Sequence, residues 1–230
     1  MVAPLKCFIA GNSFGSYCVP AASKRRPAAR AILRGEVWEP ETIAFLTQHC
    51  GAGDIVHAGT YFGDFLPALS RALATGAHIW AFEPSLTNFR CAEITLKLNG
   101  ISNVVLTHAG LGACHAPARL RVGEDGRHDA GGGSTIVADD IAGFEHEDTQ
   151  LVTVDETVPA SRAIAVLQLD VEGYEQEALE GALETIRRCR PVLVLEKPPR
   201  DPGWFESRVL SLGYRQTGTL HVNQIYEIQK

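Results

Sequence analysis

A chain of 230 residues with 45% hydrophobic and 21% charged side chains holds enough apolar material for one full α/β core, since single domains of this class commonly reach about 200–250 residues. No apolar run approaches the roughly 18 residues that a membrane-crossing helix requires, and a formal charge of −6 argues against a general nucleic-acid surface, which needs clustered cations. The six cysteines, Cys7, Cys18, Cys50, Cys91, Cys114 and Cys189, show no paired C-x-x-C spacing and no cleavable signal peptide is evident, so reduced thiols in a cytoplasmic protein are expected.

The chain is expected to begin with an irregular segment to about residue 20. No acid precedes Glu36, whereas Lys6, Lys24, Arg25, Arg26, Arg30 and Arg34 do; these cations read as a solvated helix face near an anionic ligand rather than a transit peptide. A helix is predicted over 26–33, with Pro27 in its first turn and Gly35 as its stop. Glu39-Pro40-Glu41-Thr42 opens a second helix that ends before Gly51. Residues 1–50 read as an N-terminal extension or lid, in which Tyr17, Arg25, Arg26, Trp38 and Glu39 help cover an active site, and residues 51–230 as the main domain.

From there strands are predicted at 55–58, 78–82 and 104–108, with helices over 65–74 and 88–98, an alternation that specifies a parallel sheet. Residues 118–154 break the pattern. Leu120 with Val122, then 134–137 and 151–154, read as short strands around a glycine-rich loop, 123–133, expected to be mobile. The continuous apolar run 164–169 suits a central parallel strand, and a helix is predicted over 175–188, a buried strand over 191–196, and a terminal strand pair at 213–219 and 223–228.

The chemistry gathers at strand ends. His57-Ala58-Gly59-Thr60-Tyr61-Phe62-Gly63-Asp64 follows one strand, and Trp80-Ala81-Phe82-Glu83-Pro84 closes the next. A strand, a glycine turn, a helix and a strand ending in an acid is how α/β proteins hold a nucleoside, the acid accepting from the ribose hydroxyls. Asp170 and Glu172 end another strand and point toward the same crevice. A nicotinamide site normally reads Gly-x-Gly-x-x-Gly, and position 57 is histidine, which disfavours an NAD-dependent oxidoreductase. Cys114-His115 has no second pair at zinc spacing. Asp170, Glu172, Glu196 and His115 are suitable ligands for a divalent cation, yet nothing in the sequence places them together, and no metal is assigned.

Ala81-Phe82-Glu83-Pro84, Asn103-Val104 and Asp170-Val171-Glu172-Gly173, with the turn 57–63, resemble the FkbM-type S-adenosylmethionine-dependent methyltransferases from about residue 54 to 196. The resemblance implies a class I methyltransferase fold: a Rossmann-like, doubly wound, mostly parallel sheet with an antiparallel C-terminal strand, here with an inserted β segment and an N-terminal helical extension. It implies S-adenosylmethionine as cofactor. Gly59 and Gly63 would let the backbone approach the methionine moiety, Thr60 would lie near its carboxylate, and Glu83 would bond the ribose. Pro84 and Ser85 would wall the adenine, and Gly110, in the loop 109–112, would border its edge. The family's acid two residues before the first glycine is replaced by His57, so Glu39 and Asp64 are the candidate replacements toward the methionine ammonium. Asp170 and Glu172 are the carboxylates placed for substrate or cofactor, with His115 or His108 as base. The implied reaction is O-methylation of a small hydroxylated metabolite, such as a sugar or natural-product intermediate; N-methylation and a non-catalytic cofactor-binding protein stay open. The expected partner is a small methyl acceptor, with no nucleic acid and no membrane, and a homo-oligomer is left open.

Overall fold

The computed structural model describes residues 4–124, 128–129, 131–137 and 142–229. Its centre is built from β3 (Asp54–Ala58), α3 (Leu66–Ala72), β4 (Ile79–Phe82), α4 (Leu86–Leu98) and β5 (Val104–Thr107), preceded by β1 (Cys7–Asn12), β2 (Gly15–Pro20), α1 (Pro27–Leu33) and α2 (Pro40–His49). After an insertion of β6 (Gly110–Leu111), β7 (Ala116–Glu124), β8 (His128–Asp129), β9 (Thr135–Val137) and β10 (Phe144–Val152) come α5 (Val154–Thr157), β11 (Ile164–Leu169), α6 (Glu175–Glu180), α7 (Leu183–Cys189), β12 (Val192–Leu195), α8 (Pro202–Arg208), β13 (Tyr214–Leu220) and β14 (Asn223–Ile228).

The main sheet has the order β13-β14-β12-β11-β3-β4-β5. Pairing is parallel from β12 to β5, and β14 runs antiparallel to both neighbours. This is the class I methyltransferase arrangement. The strand order turns back between β3 and β11, and that switch point opens a crevice at the strands' C-terminal ends. Alternate side chains serve opposite faces. Val56, Ala58, Leu167 and Leu169 pack with Ala178, Leu179 and Ile186 on one face, while Ile55, Val166 and Ile79 pack with Leu46, Leu66 and Leu69 on the other.

Four elements differ from the sequence reading. The first is the start of the chain, which forms the β1–β2 hairpin instead of an irregular segment. It is held on α4 by Asn99, whose Oδ1 accepts from Ser16 N (3.0 Å), and by Thr95, whose Oγ1 accepts from Cys18 N (3.0 Å). Partners some eighty residues away leave no local trace. The second is residues 153–154, which leave the strand: Thr153 Oγ1 accepts from Glu156 N (3.1 Å) and donates to Glu156 Oε2 (3.0 Å), capping the start of α5. The third is the single helix expected over 175–188, which breaks at Gly181. A Cβ there would lie 2.0 Å from the Gly112 carbonyl oxygen, and Asp155 caps the new helix by accepting from Glu184 N and Thr185 N. The fourth is α8, which was not anticipated; Asp201 caps it by accepting from Trp204 N (3.0 Å), and Pro202 occupies its first turn.

The insertion folds as its own sheet in the order β6-β10-β7-β8, with β9 on β7. Two of the strands expected to be short are long, β7 and β10 with nine residues each, while the one expected at 134–137 is the three-residue β9. The loop expected to be mobile, 123–133, lies partly outside the described residues, at 125–127 and 130. Among the described residues no helix is long and apolar enough to cross a membrane.

One ion pair, between the buried Asp54 and the partly exposed Arg162, ties the sheet's lower edge. Arg162 grips Asp54 through Nε and Nη2 (2.7 and 2.6 Å), and Trp80 Nε1 and His78 N also donate to it. Burial alone would raise the Asp54 carboxyl; the donors from Arg162, Trp80 and His78 together hold it below the usual carboxylate value. Arg162→Ala leaves that carboxylate buried with half its donors, so thermal or urea unfolding is expected to show a loss of about 2–3 kcal/mol.

Candidate active site

The loops after β3, β4, β11 and β12 carry Gly59, Glu83, Asp170 and Glu196 to one end of the sheet. Gly59 has φ +79°, and a Cβ on it would fall 1.8 Å from the Asp170 carbonyl oxygen. The glycine is therefore demanded by the contact between two strand ends before any ligand is considered. Glu83 draws the neighbouring loop toward itself: its Oε2 accepts from Tyr61 N (2.7 Å), and its Oε1 from Ser85 N (2.9 Å) and Asn88 Nδ2 (3.4 Å). Burial pushes its carboxyl up to about 8, against the opposing pull of the Ser85 and Tyr61 amides.

Beside Glu83 lies a narrow space of ≈ 40 Å³ walled by Pro84, Gly110, Leu111, Leu120 and Ile136 and roofed by Gly131 and Gly132. It has room for about three water molecules. Small and apolar walls suit a flat ring, and a purine would require the roof to move.

On the other side of Gly59 and Asp170 a cavity of ≈ 320 Å³ opens, lined by Arg26, Trp38, Glu39, His57, Tyr61, Asp64, Gln168, Glu172, Glu196 and His221, among others. That volume lies at the lower end of small-molecule sites. Of the five described non-glycine residues in left-handed backbone conformation, four line it, Glu39 (φ 46°), Tyr61 (φ 54°), Glu172 (φ 55°) and His221 (φ 55°); the fifth, Arg190, caps α7. Each costs of order 1–3 kcal/mol, and such strain collects at functional sites.

The cavity is rich in acid. Burial, reinforced by Glu39, pushes the Asp64 carboxyl up to about 7. Asp170 is raised well above the ordinary range by burial and then by Glu196, Glu172, Glu39 and Asp64. Oxygens of Asp170, Glu172 and Glu196 lie within 4.8 Å of one another, a spacing that suits a cation. Lys197 already supplies one: its Nζ lies 2.6 Å from Glu172 Oε2 and 3.2 Å from Glu196 Oε2. Burial would lower this ammonium, but the two glutamates push it up to about 12. A metal ion would have to displace it, and none is assigned.

His57, in the place of the family's acid, is buried and stacked on Phe65, and its Nδ1 donates to Gln168 Oε1. Its Nε2 is left with a lone pair and no partner among the described residues. Burial pushes the ring down to about 4, so it is neutral at pH 7 and adds no charge. Glu39 accepts from Thr42 Oγ1 (2.9 Å) and Asn223 Nδ2 (3.2 Å), which aligns it on the same cavity as Asp64.

Of the residues named from sequence, Gly59, Glu83, Pro84, Gly110 and Asp170 line the narrow space, and Glu39, Gly59, Asp64, Asp170 and Glu172 the cavity. Thr60, Gly63 and Ser85 line neither. The Thr60 hydroxyl donates to His57 O (3.1 Å), Gly63 makes a φ +82° turn into α3, and Ser85 contributes its amide to Glu83. His115 is not brought to the site. It pairs on the surface with Glu156 Oε2 (3.0 Å), because Gly112 N bonds to Val152 O and the chain then turns outward. His108 contacts Pro84 O (3.1 Å) on the exposed side. Sequence reasoning passed over Tyr61, Gln168, Lys197 and His221. A glutamine inside the apolar run 164–169 was the available signal for Gln168; His221 sits in a hairpin turn with no comparable mark.

The family model described as the methyltransferase FkbM domain matches residues 49–217. Among solved structures, methyltransferase FkbM from Methylobacillus flagellatus KT superposes with a TM-score of 0.52 at 18% identity, over 76% of this chain and 43% of that one. The chain thus spans less than half the length of that protein. A SAM-dependent methyltransferase from Aquifex aeolicus matches at 11% identity and TM-score 0.47 over 90% of this chain and 97% of that one. The tRNA (uracil-54, C5)-methyltransferase of Pyrococcus abyssi, solved with S-adenosyl-L-homocysteine, matches at 11% identity and TM-score 0.49 over 96% and 43%. No curated protein sequence gives a significant match.

Proposed function

Because the chain belongs to the FkbM methyltransferase family, we propose that it methylates a hydroxyl oxygen of a small acceptor held in the larger cavity. S-adenosylmethionine, the cofactor, supplies an electrophilic methyl group on a sulfonium. The residues present fit it: Glu83 offers carboxylate oxygens beside a slot free of side chains at Gly59 and Gly110, and Glu39 and Asp64 offer negative charge where neutral His57 offers none.

The observation that carries hydroxyl chemistry is Asp170. It lines both the slot and the cavity, so its carboxyl stands between cofactor and acceptor; burial and the neighbouring acids raise it, and the positive charge of the bound sulfonium favours the ionised form that assists loss of a hydroxyl proton. Glu172, fixed by Lys197, stands on the acceptor side. Arg26, Trp38 and Glu39 wall the same cavity, which supports residues 1–50 as its cover and 51–230 as the cofactor domain. All six cysteines are free thiols, in keeping with a reducing, cytoplasmic setting.

Incubation with methyl-labelled S-adenosylmethionine and a panel of hydroxylated and amine-bearing small molecules tests the proposal. Label is expected on hydroxyl acceptors, and label on amines alone would overturn oxygen as the acceptor atom. With an acceptor found, Glu172→Ala is expected to slow turnover by about 10²-fold while leaving cofactor affinity unchanged. Undiminished turnover removes Glu172 from the catalytic set.

A further inference from the structure

The β1–β2 hairpin stands apart from the main sheet, and its strand β1 leaves large apolar side chains in water. Phe8 is 44% exposed, Ile9 59%, and Leu33, at the end of α1, 37%. Phe8 and Leu33 line an open groove together with Lys24, Arg25 and Arg30. Among the described residues none of these three cations is paired with an acid, and the first acid in the chain, Glu36, is engaged by Arg34 (2.9 Å).

An edge strand carrying exposed apolar residues is a liability unless something covers it. The charge around it selects an anionic cover. Its geometry selects a deformable one: Phe8 and Ile9 are consecutive in a strand and project to opposite faces, so a single rigid groove on a partner protein covers one and leaves the other. A lipid interface accepts both, with phosphates within reach of the flanking cations. The expectation of no membrane partner rested on the lack of a spanning segment, which says nothing of peripheral contact.

We propose that this end of the molecule docks reversibly on an anionic membrane surface, Phe8, Ile9 and Leu33 entering the headgroup boundary and Lys24, Arg25 and Arg30 lying over the phosphates. The N-terminal end of α1, Pro27 and Ala28 with Arg26 before them, lines the cavity, so docking would set the cavity close to the interface.

The test is co-sedimentation of the full chain with vesicles of phosphatidylcholine alone and of phosphatidylcholine containing phosphatidylglycerol. Binding is expected to the anionic vesicles, at least about tenfold weaker to the neutral ones, and weaker by about fivefold for each cation removed in Arg25→Ala and Arg30→Ala. Ile9→Asp is expected to abolish it; because Ile9 is exposed, the thermal unfolding of this variant should match that of the parent, and Ile9→Ser provides a milder second variant. No sedimentation with either vesicle, or equal sedimentation with both, overturns the proposal. So does a dimer in light scattering that Ile9→Asp dissociates, which would assign the patch to a second copy of the chain.

Discussion

Glu83→Ala is expected to weaken S-adenosylmethionine binding by about 10²-fold or more, the largest effect of any single change in the slot. Hydrogen bonds to a charged group contribute about 1.5–3 kcal/mol each, and a ribose presents two hydroxyls to one carboxylate. A tenfold change in affinity corresponds to about 1.4 kcal/mol, so loss of both bonds exceeds two decades. The variant also strips the acceptor from Tyr61 N and Ser85 N, both buried. The strained Tyr61 turn then loses its tether, and stability should drop as well. Glu83→Gln separates the two effects, since the amide oxygen still accepts one backbone bond. Calorimetric titration with S-adenosylmethionine, S-adenosylhomocysteine and NAD reads the result. Binding of both sulfur nucleosides but not NAD by the parent, lost in Glu83→Ala, is the expected outcome. Unchanged affinity in the variant would place the ribose elsewhere.

Cofactor affinity is expected to rise with pH between about 6 and 9, accompanied by proton release. The reason lies in Asp64, held at about 7, and Glu83, held at about 8, with Asp170 raised as well. In the free protein these carboxyls keep protons that ordinary carboxyls have lost. A ligand carrying positive charge and hydroxyl donors favours their ionised forms, so it binds better once they are deprotonated and expels protons where they are not. Titration in buffers of different ionisation enthalpy measures the release directly, and Glu83→Gln should remove part of it.

The same groups act on stability with a definite sign. Their folded values lie above their unfolded ones, so the folded protein binds more protons than the unfolded chain between about pH 4 and 8. Their contribution is fully present below the unfolded values and is lost as pH rises through the folded ones. Each costs up to about 1.4 kcal/mol per pH unit within its window. The ligand-free protein should therefore melt at lower temperature at pH 8 than at pH 5, and saturating cofactor should flatten the profile. A ligand-free melting temperature that is constant across this range would show that Asp64 and Glu83 ionise normally.

Much of this fold is legible residue by residue. The run Ile164–Leu169 reads as a strand because five of its six residues are apolar and polar or proline-bearing segments flank it. Pro27, Pro40 and Gly35 mark helix ends through their fixed or permissive φ. Elements set by distant partners were not legible: the β1–β2 hairpin depends on Asn99 and Thr95, and the break at Gly181 depends on the Gly112 carbonyl oxygen. Periodicity carries no information about either.

The candidate site divides in the same way. Gly59, Glu83, Asp170 and Glu172 could be named from sequence because parallel strands deliver their C-terminal ends to one edge, so a residue's place at a strand end fixes its place in space. The role given to His115 failed at this step, since it follows a two-residue strand of the insertion and turns to Glu156 on the surface. The chain by itself determined which edge of the sheet carries the chemistry, and the family. Only the tertiary structure decided that Lys197 bridges Glu172 and Glu196, that His57 is buried and uncharged, and that His221 reaches the cavity from a hairpin near the chain's end. Local pattern specifies which face of an element is apolar, whereas charge state and ligand contact depend on which groups from other elements share a buried volume, and that is set when the elements pack.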